Sequence, residues 1–205
     1  MVLTGAGDRA FAAGQDLDEA KQFTAARARE WIDEFDAVYS SIRNLNKASI
    51  AALNGYAVGA ACQIALLADI RIAAVHAKVG MPEINDGIPC ITGTWTLWDL
   101  IGRSRTVDLV LTGRLLDAQE ALQWGIIHRV VPLAELMPAA LSLGHELASK
   151  ARTAIRMNKE FWRQLTQSAA DGAKEFAKHA HATAFASGEP RAAMEAFLAK
   201  RRAKG

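Results

Sequence analysis

One carboxylate and two small-residue turns are the parts of this sequence that suggest chemistry. Glu83 follows Gln63 by twenty positions, and the turns lie at Ala13–Gly14 and Gly59–Ala60. Side chains this small leave backbone N–H groups uncovered. Such groups can hold the negative charge that develops on a carbonyl oxygen, while a carboxylate moves the proton of the adjacent carbon. The combination indicates an enzyme that forms an enolate.

The neighbours of Glu83 predict how its carboxylate behaves. Val79, Met81, Ile84 and Ile88 surround it in the sequence and are all apolar. Burial disfavours the charged form of a carboxylate, so we expect a raised pKa for Glu83, which suits a group that takes and returns a proton. The competing interpretation is a helix-capping or surface glutamate.

Composition and charge narrow the class of protein. The chain has 205 residues, of which 51% are hydrophobic and 22% charged, as in an ordinary globular domain. A net charge of +2 gives no reason to expect nucleic acid or an anionic membrane as a partner. Cys62 and Cys90 form no CxxC pair, and no signal peptide or membrane-spanning run is visible. We therefore expect a cytoplasmic protein with reduced thiols.

The elements that must position these residues alternate between strands and helices. Trp31, Phe35, Val38 and Ile42 recur at helical spacing and predict one buried stripe. A helix is also predicted from Gly59 to about Ala68. Further helices are expected at about 93–101, 104–112 and 117–124, and the predicted strands are Val2–Thr4, Ala48–Leu53, Asp69–Ala74 and Ile126–Val131.

The character of the chain changes after Pro132. The remainder is alanine-rich, and we predict four helices with breaks near Ser149, Ser168 and Gly188–Pro190. Their apolar faces have little core of their own. The sequence thus predicts an α/β core over residues 1–132 and a helical region over 133–205 that packs on another subunit.

Short motifs run along nearly the whole chain in a fixed order. They are Leu3–Gly7, Phe11–Leu17, Asn54–Gly59, Ala68–Ala73, Pro82–Ile84, Gly87–Pro89, Leu111–Gly113, Asp117–Ala118, Trp124–Ile126, Val130–Pro132 and Phe197–Arg201. In this order they resemble the enoyl-CoA hydratase/isomerase family, also called the crotonase family. Members of the family usually begin roughly fifty residues earlier, with strands that complete the sheet and help to hold CoA, and the given sequence does not contain that segment.

The resemblance implies a fold, a substrate and site residues. The fold is an α/β superhelix of ββα units with an all-helical C-terminal region that builds a homotrimer or a hexamer. The substrate is an acyl-CoA thioester, with no further cofactor and no metal. The backbone N–H groups of Gln15 and Ala60 would form the oxyanion hole, and Glu83 would be the acid/base. The CoA thioester would bind along Ala13, Gly14, Asp16, Leu17 and Gly59.

Gln63 departs from the family pattern. It falls where hydratases of the family carry a second glutamate, and an amide orients water but cannot take its proton. One carboxylate favours enoyl-CoA isomerase or atypical hydratase chemistry. The alternatives are an enzyme that resembles hydroxycinnamoyl-CoA hydratase-lyases and a CoA-thioester binding protein without catalysis.

Several other residues near these motifs carry less specific signals. Trp95 and Trp98 would wall an acyl pocket or pack in the core. Asp86 is interpreted as a surface turn residue, and His179 and His181 as surface residues of the helical region. Cys90 has no histidine partner apparent from the sequence, so we do not expect a nucleophile there.

Overall fold

Successive strands of the chain join two different sheets. The computed structural model describes residues 1–203, with the side chain of Arg201 left undescribed. The first sheet has the order β1-β3-β5-β8 and is parallel throughout. Its strands are β1 (Val2–Thr4), β3 (Ile50–Leu53), β5 (Ile70–Ala74) and β8 (Arg129–Val131).

The second sheet has the order β2-β4-β6-β7. Its strands are β2 (Ala10–Ala12), β4 (Tyr56–Val58), β6 (Lys78–Gly80) and β7 (Leu115–Asp117). The first three are parallel, and β7 is antiparallel to β6. The chain forms a strand of the first sheet, then a strand of the second, and then a helical segment, and this order occurs three times in succession. The core is therefore built from ββα units as predicted.

Eight α-helices and one 3₁₀ helix complete the described part of the chain. The 3₁₀ helix spans Pro82–Asp86 and holds Glu83. The α-helices are α1 (Leu17–Ala20), α2 (Ala25–Arg43), α3 (Ala60–Leu67), α4 (Ile91–Thr112), α5 (Ala118–Gln123), α6 (Leu133–Ala148), α7 (Arg152–Ser187) and α8 (Glu189–Arg202).

Helix α2 carries the apolar stripe that the sequence predicts. Thr24 caps its N-terminus by accepting a hydrogen bond from the N–H of Arg27. The buried face is set by Trp31 and Ile42, as predicted, together with Tyr39. The prediction for Val38 is wrong, because that side chain is 44% exposed and the stripe turns through its neighbour Tyr39 instead.

The first sheet is enclosed by helices on both faces. Every residue of β3 is buried, which explains its unbroken apolar run. One face packs on α6 through a cluster that includes Leu136 and Leu143, and the other packs on α3 and α4. The predicted break between two helices at residues 102–103 coincides with Gly102, whose φ of 77° interrupts α4.

The C-terminal region is helical, as predicted, but it contains three described helices rather than four. The predicted break near Ser168 is wrong, because this residue lies inside the 36-residue α7 and no helix ends there. The buried Lys159 of α7 pairs with Asp69 at 2.6 Å and ties this region to the core. The division at residue 132 stays a prediction, and residues 204 and 205 lie outside the described residues.

Two further findings bear on the class of protein. Among residues 1–203, no helix has both the length and the apolar character to cross a bilayer. Cys62 and Cys90 are both free and buried, which agrees with the prediction that neither belongs to a disulfide framework.

Candidate active site

The candidate site lies where three parallel strands end. The chain leaves β2 into the loop at Gly14–Gln15, leaves β4 into Gly59–Ala60, and leaves β6 toward Glu83. In the second sheet β4 lies between β2 and β6, and the carboxyl ends of parallel strands meet at one edge. The topology therefore gathers segments that are far apart in sequence.

Two glycines shape the backbone at this edge. Gly14 and Gly59 have φ values of 83° and 58°, which side chains disfavour. The segments are also in contact, because a Cβ placed on Gly14 would lie 3.1 Å from the Val58 carbonyl oxygen and 3.7 Å from the Ala60 nitrogen. Both positions therefore favour glycine for their conformation, and Gly14 also for lack of space.

The backbone N–H groups of the two segments are available for a ligand. Ala60 occupies the first turn of α3, where an N–H group has no intrahelical acceptor and the helix dipole favours an anion. The N–H of Gln15 has no hydrogen-bond acceptor within residues 1–203. Two main-chain donors therefore stand on adjoining segments of one cavity, at the positions that the resemblance implies.

The loop that carries Gln15 is held by side-chain bonds. The indole of Trp31 donates to the Gln15 side-chain oxygen at 3.1 Å, and the Gln15 amide donates to Glu19 at 2.9 Å. Asp16 caps α1 by accepting from the N–H groups of Asp18 and Glu19. The side chain of Asp16 thus contributes to the local structure that orients the Gln15 backbone.

Glu83 presents one bonded and one unbonded oxygen. Its Oε1 accepts a hydrogen bond from the Gln63 amide at 2.8 Å. Its Oε2 is buried and has no hydrogen-bond partner in the described part of the chain. Burial raises the pKa of Glu83, and its own backbone N–H, the Gln63 amide and the nearby Cys90 thiol partly oppose the rise. This is the environment that the apolar neighbours predict.

Gln63 is occupied on both sides of its amide. The side chain is 7% exposed, and its Oε1 accepts a hydrogen bond from the Tyr39 hydroxyl at 2.8 Å. Sequence reasoning missed Tyr39 as a site residue. The available signal was its helical spacing, because it follows Trp31 by eight positions and Phe35 by four.

A single cavity of about 690 Å³ joins these groups. All nine predicted site residues line it, namely Ala13, Gly14, Gln15, Asp16, Leu17, Gly59, Ala60, Gln63 and Glu83. The aromatic wall comes from α2, through Trp31, Phe35 and Tyr39, and from Trp95 of α4. The volume lies in the range of small-molecule sites.

Other residues of the sequence analysis take different places from those expected. Asp86 is half-buried and lines the cavity instead of standing on the surface, and burial raises its pKa. His181 is buried against Trp31 with its ring centroid 5.5 Å away, whereas His179 is exposed as expected. Trp95 lines the cavity and Trp98 is 43% exposed.

Thiol and metal chemistry find little support at the site. Burial raises the pKa of the Cys90 thiol well above its ordinary value, which opposes formation of a thiolate. Within residues 1–203, no group of three histidine, cysteine or acidic side chains is arranged to hold a metal ion.

Comparison with known proteins places these features in a family. The enoyl-CoA hydratase/isomerase family model matches residues 1–204. The chain is 35% identical to a short-chain-enoyl-CoA hydratase of Clostridium acetobutylicum, over 100% of this chain and 79% of the relative. It is also 35% identical to a crotonyl-CoA hydratase of Syntrophomonas wolfei, over 99% of this chain and 78% of the relative.

A solved structure supports the fold separately. The chain resembles an enoyl-CoA hydratase/isomerase from Mycobacterium paratuberculosis with a TM-score of 0.87 and 24% identity, over 95% of this chain and 78% of that one. This likeness concerns the fold, and the crotonase fold predicted for the core is confirmed. From the family match and the relatives together, the chain belongs to the enoyl-CoA hydratase/isomerase family.

Proposed function

We propose that the chain converts an enoyl-CoA thioester through an enolate, with Glu83 as its acid/base. The N–H groups of Gln15 and Ala60 would hold the thioester oxygen, on which negative charge develops. The observation that carries the proposal is the state of Glu83, whose carboxylate is buried in the cavity wall with Oε2 unbonded. Glu83 is the group that we expect to exchange a proton with carbon.

The state of Gln63 favours isomerisation. Its amide has no basic group and already bonds Tyr39 and Glu83. A single carboxylate suffices to move a double bond, because Glu83 takes the proton from the α-carbon of a 3-enoyl thioester and returns it to the γ-carbon. The electron pair of the α C–H bond then forms the new α,β double bond.

Hydration is the second candidate, and the relatives favour it. Two proteins with 35% identity over the whole chain are named as hydratases of enoyl-CoA and crotonyl-CoA. In this case Glu83 alone would activate the water that adds to the double bond. The two activities differ in substrate, so they are separable by assay.

The test compares both reactions in wild-type protein and in Glu83→Gln. Crotonyl-CoA hydration and 3-enoyl-CoA isomerisation are measured side by side. We expect the substitution to lower the active reaction by about 10²–10⁴-fold, the range for loss of a general acid/base. Glu135→Gln is the matched control, because Glu135 is exposed on α6 and should have no effect.

Two outcomes contradict the proposal. Fast hydration that survives Glu83→Gln removes Glu83 from the chemistry. Calorimetric binding of an acyl-CoA without turnover of any enoyl-CoA would instead indicate a binding protein.

We also propose that the chain acts as a homotrimer or hexamer through its helical region. Helix α7 exposes a stripe of large apolar side chains, and each of its four members is at least 43% exposed. The stripe consists of Met157, Phe161, Trp162 and Leu165. Exposed apolar area of this kind marks an interaction surface.

A further inference from the structure

Three side chains from three different elements form one hydrogen-bonded chain. Tyr39 of α2 donates to Gln63 of α3 at 2.8 Å, and Gln63 donates to Glu83 of the 3₁₀ helix at 2.8 Å. Tyr39 and Gln63 are both less than a tenth exposed. Little water competes for these bonds, so their directions are set by the three side chains.

The direction of the chain follows from the two ends of the amide. An amide accepts at its oxygen and donates at its nitrogen, and an ionised carboxylate accepts only. When Tyr39 donates to the amide oxygen, the NH₂ group of Gln63 must face Glu83. The reversed amide would turn its oxygen toward Glu83, an arrangement that suits only a protonated carboxyl. The observed direction therefore fits the ionised base.

We propose that Tyr39 is a positioning residue, which fixes the Gln63 amide so that its NH₂ group holds Oε1 of Glu83 and supports the ionised carboxylate. This inference rests on the proposed role of Glu83. Hydrogen bonds in a chain polarise one another, and a chain that ends on a charge gains most. The phenol therefore stabilises the ionised carboxylate at a distance. Burial also raises the pKa of Tyr39 and keeps its hydroxyl protonated as the donor.

Other groups around Glu83 also act on its pKa, and Tyr39→Phe leaves them in place. Burial raises the pKa values of the Cys62 and Cys90 thiols, so both stay protonated. The Cys90 thiol lowers the pKa of Glu83, and the negative charge of Asp86 raises it. Helices α4 and α8 also pack on the 3₁₀ helix. The charged residues in the first half of each helix are exposed, namely Asp99 of α4 and Glu189, Arg191 and Glu195 of α8.

The test is the pH dependence of kcat/KM for Tyr39→Phe, with the enoyl-CoA that the wild type converts. Loss of the hydroxyl removes support for the ionised carboxylate, so the pKa of Glu83 rises and the acid limb of the profile moves to higher pH. At a pH on that limb we expect a rate about three- to tenfold below wild type, and nearly wild-type activity on the plateau. Tyr56→Phe is the matched control, because the phenol of Tyr56 is 49% exposed outside the cavity.

A second background shows whether the effect passes through Gln63. Gln63→Met removes the donor with little change of volume, and we expect it to move the acid limb in the same direction. Added to Gln63→Met, Tyr39→Phe should then produce no further shift beyond about twofold in rate, since coupled residues are not additive. Gln63→Met also serves as the test if Tyr39→Phe does not fold.

The outcomes separate this inference from the proposed function. The positioning role is overturned if Tyr39→Phe lowers the rate equally at every pH, or if it shifts the acid limb as much in the Gln63→Met background as in the wild type. It is also overturned if both single variants keep the wild-type pH profile while Glu83→Gln is inactive. If Glu83→Gln keeps its activity, the proposed function itself has failed.

Discussion

At the scale of single residues, the charge state of Glu83 is set by a few identifiable neighbours. Burial raises its pKa, and the negative charge of Asp86 raises it further. Its own backbone N–H, the Gln63 amide and the Cys90 thiol lower it. Oε2 has no partner within residues 1–203 that would compensate for its burial. Small changes around this carboxylate should therefore appear directly in the pH profile.

Asp86→Asn should move that profile in the direction opposite to Tyr39→Phe. Removing a nearby negative charge favours ionised Glu83, lowers its pKa and extends the acid limb to lower pH. At a pH on the limb, kcat/KM should rise by about two- to fivefold, as for a partly exposed charge pair.

The control for this prediction is Asp99→Asn, which neutralises an exposed acid on α4 and should leave the limb in place. A limb that stays at its wild-type pH in Asp86→Asn, with the rate reduced throughout, would assign Asp86 to substrate contact rather than to tuning of Glu83.

The residues that were predicted correctly had local signals, and those that were missed had distant partners. The apolar neighbours of Glu83 stand beside it in the sequence, so its raised pKa was predictable. Tyr39 acquires its role from an amide 24 positions away, and His181 is buried by Trp31 of another helix. Neither contact can be recognised from the residues that adjoin Tyr39 or His181 in the sequence.

At the scale of elements, the misjudged features are those that tertiary packing decides. Strands β2, β4 and β6 have three residues each, too few to show a period, yet their ends carry the site. Helix α7 continues through Ser168 because it packs along α2, where Lys174 bonds Asp36 at 2.8 Å. Glycine predicted the start of one helix correctly, because Gly59 is the N-terminal cap of α3.

Gly59→Ala should damage activity more than stability. An added Cβ has room, because its closest neighbour would be Oε1 of Glu83 at 3.6 Å, but φ of 58° with ψ of −129° is strained for alanine. We expect unfolding to become easier by about 1–3 kcal/mol. We also expect kcat to fall by about tenfold or more, because relaxation of the strain moves the Ala60 N–H.

Gly172→Ala is the comparison for that variant, measured by thermal unfolding and by turnover. Gly172 lies inside α7 with open space around it, so alanine there should stabilise the helix by about 0.5–1 kcal/mol and leave kcat unchanged. Equal stability losses in both variants, or full activity in Gly59→Ala, would contradict the role given to this turn.

At the scale of the whole molecule, the chain keeps its site and its exposed apolar stripe on different parts of the fold. The site lies at the edge of the second sheet, and none of the four residues of the stripe on α7 lines the cavity. The stripe was predictable as a helical face without a core of its own. Its partner was not, because a sequence shows which face is apolar and not what covers it.

Leu165→Glu should therefore convert the proposed homotrimer or hexamer into a monomer. Leu165 is 66% exposed in the single chain, so a charge there costs the monomer little, whereas burying that charge in an interface costs several kcal/mol. Analytical ultracentrifugation of wild type should give a trimer or a hexamer, and of Leu165→Glu a single chain. Gln164→Glu places the same charge on the adjacent exposed position and should keep the assembly. A wild-type monomer, or a Leu165→Glu oligomer of unchanged size, would show that this stripe is not the contact between subunits.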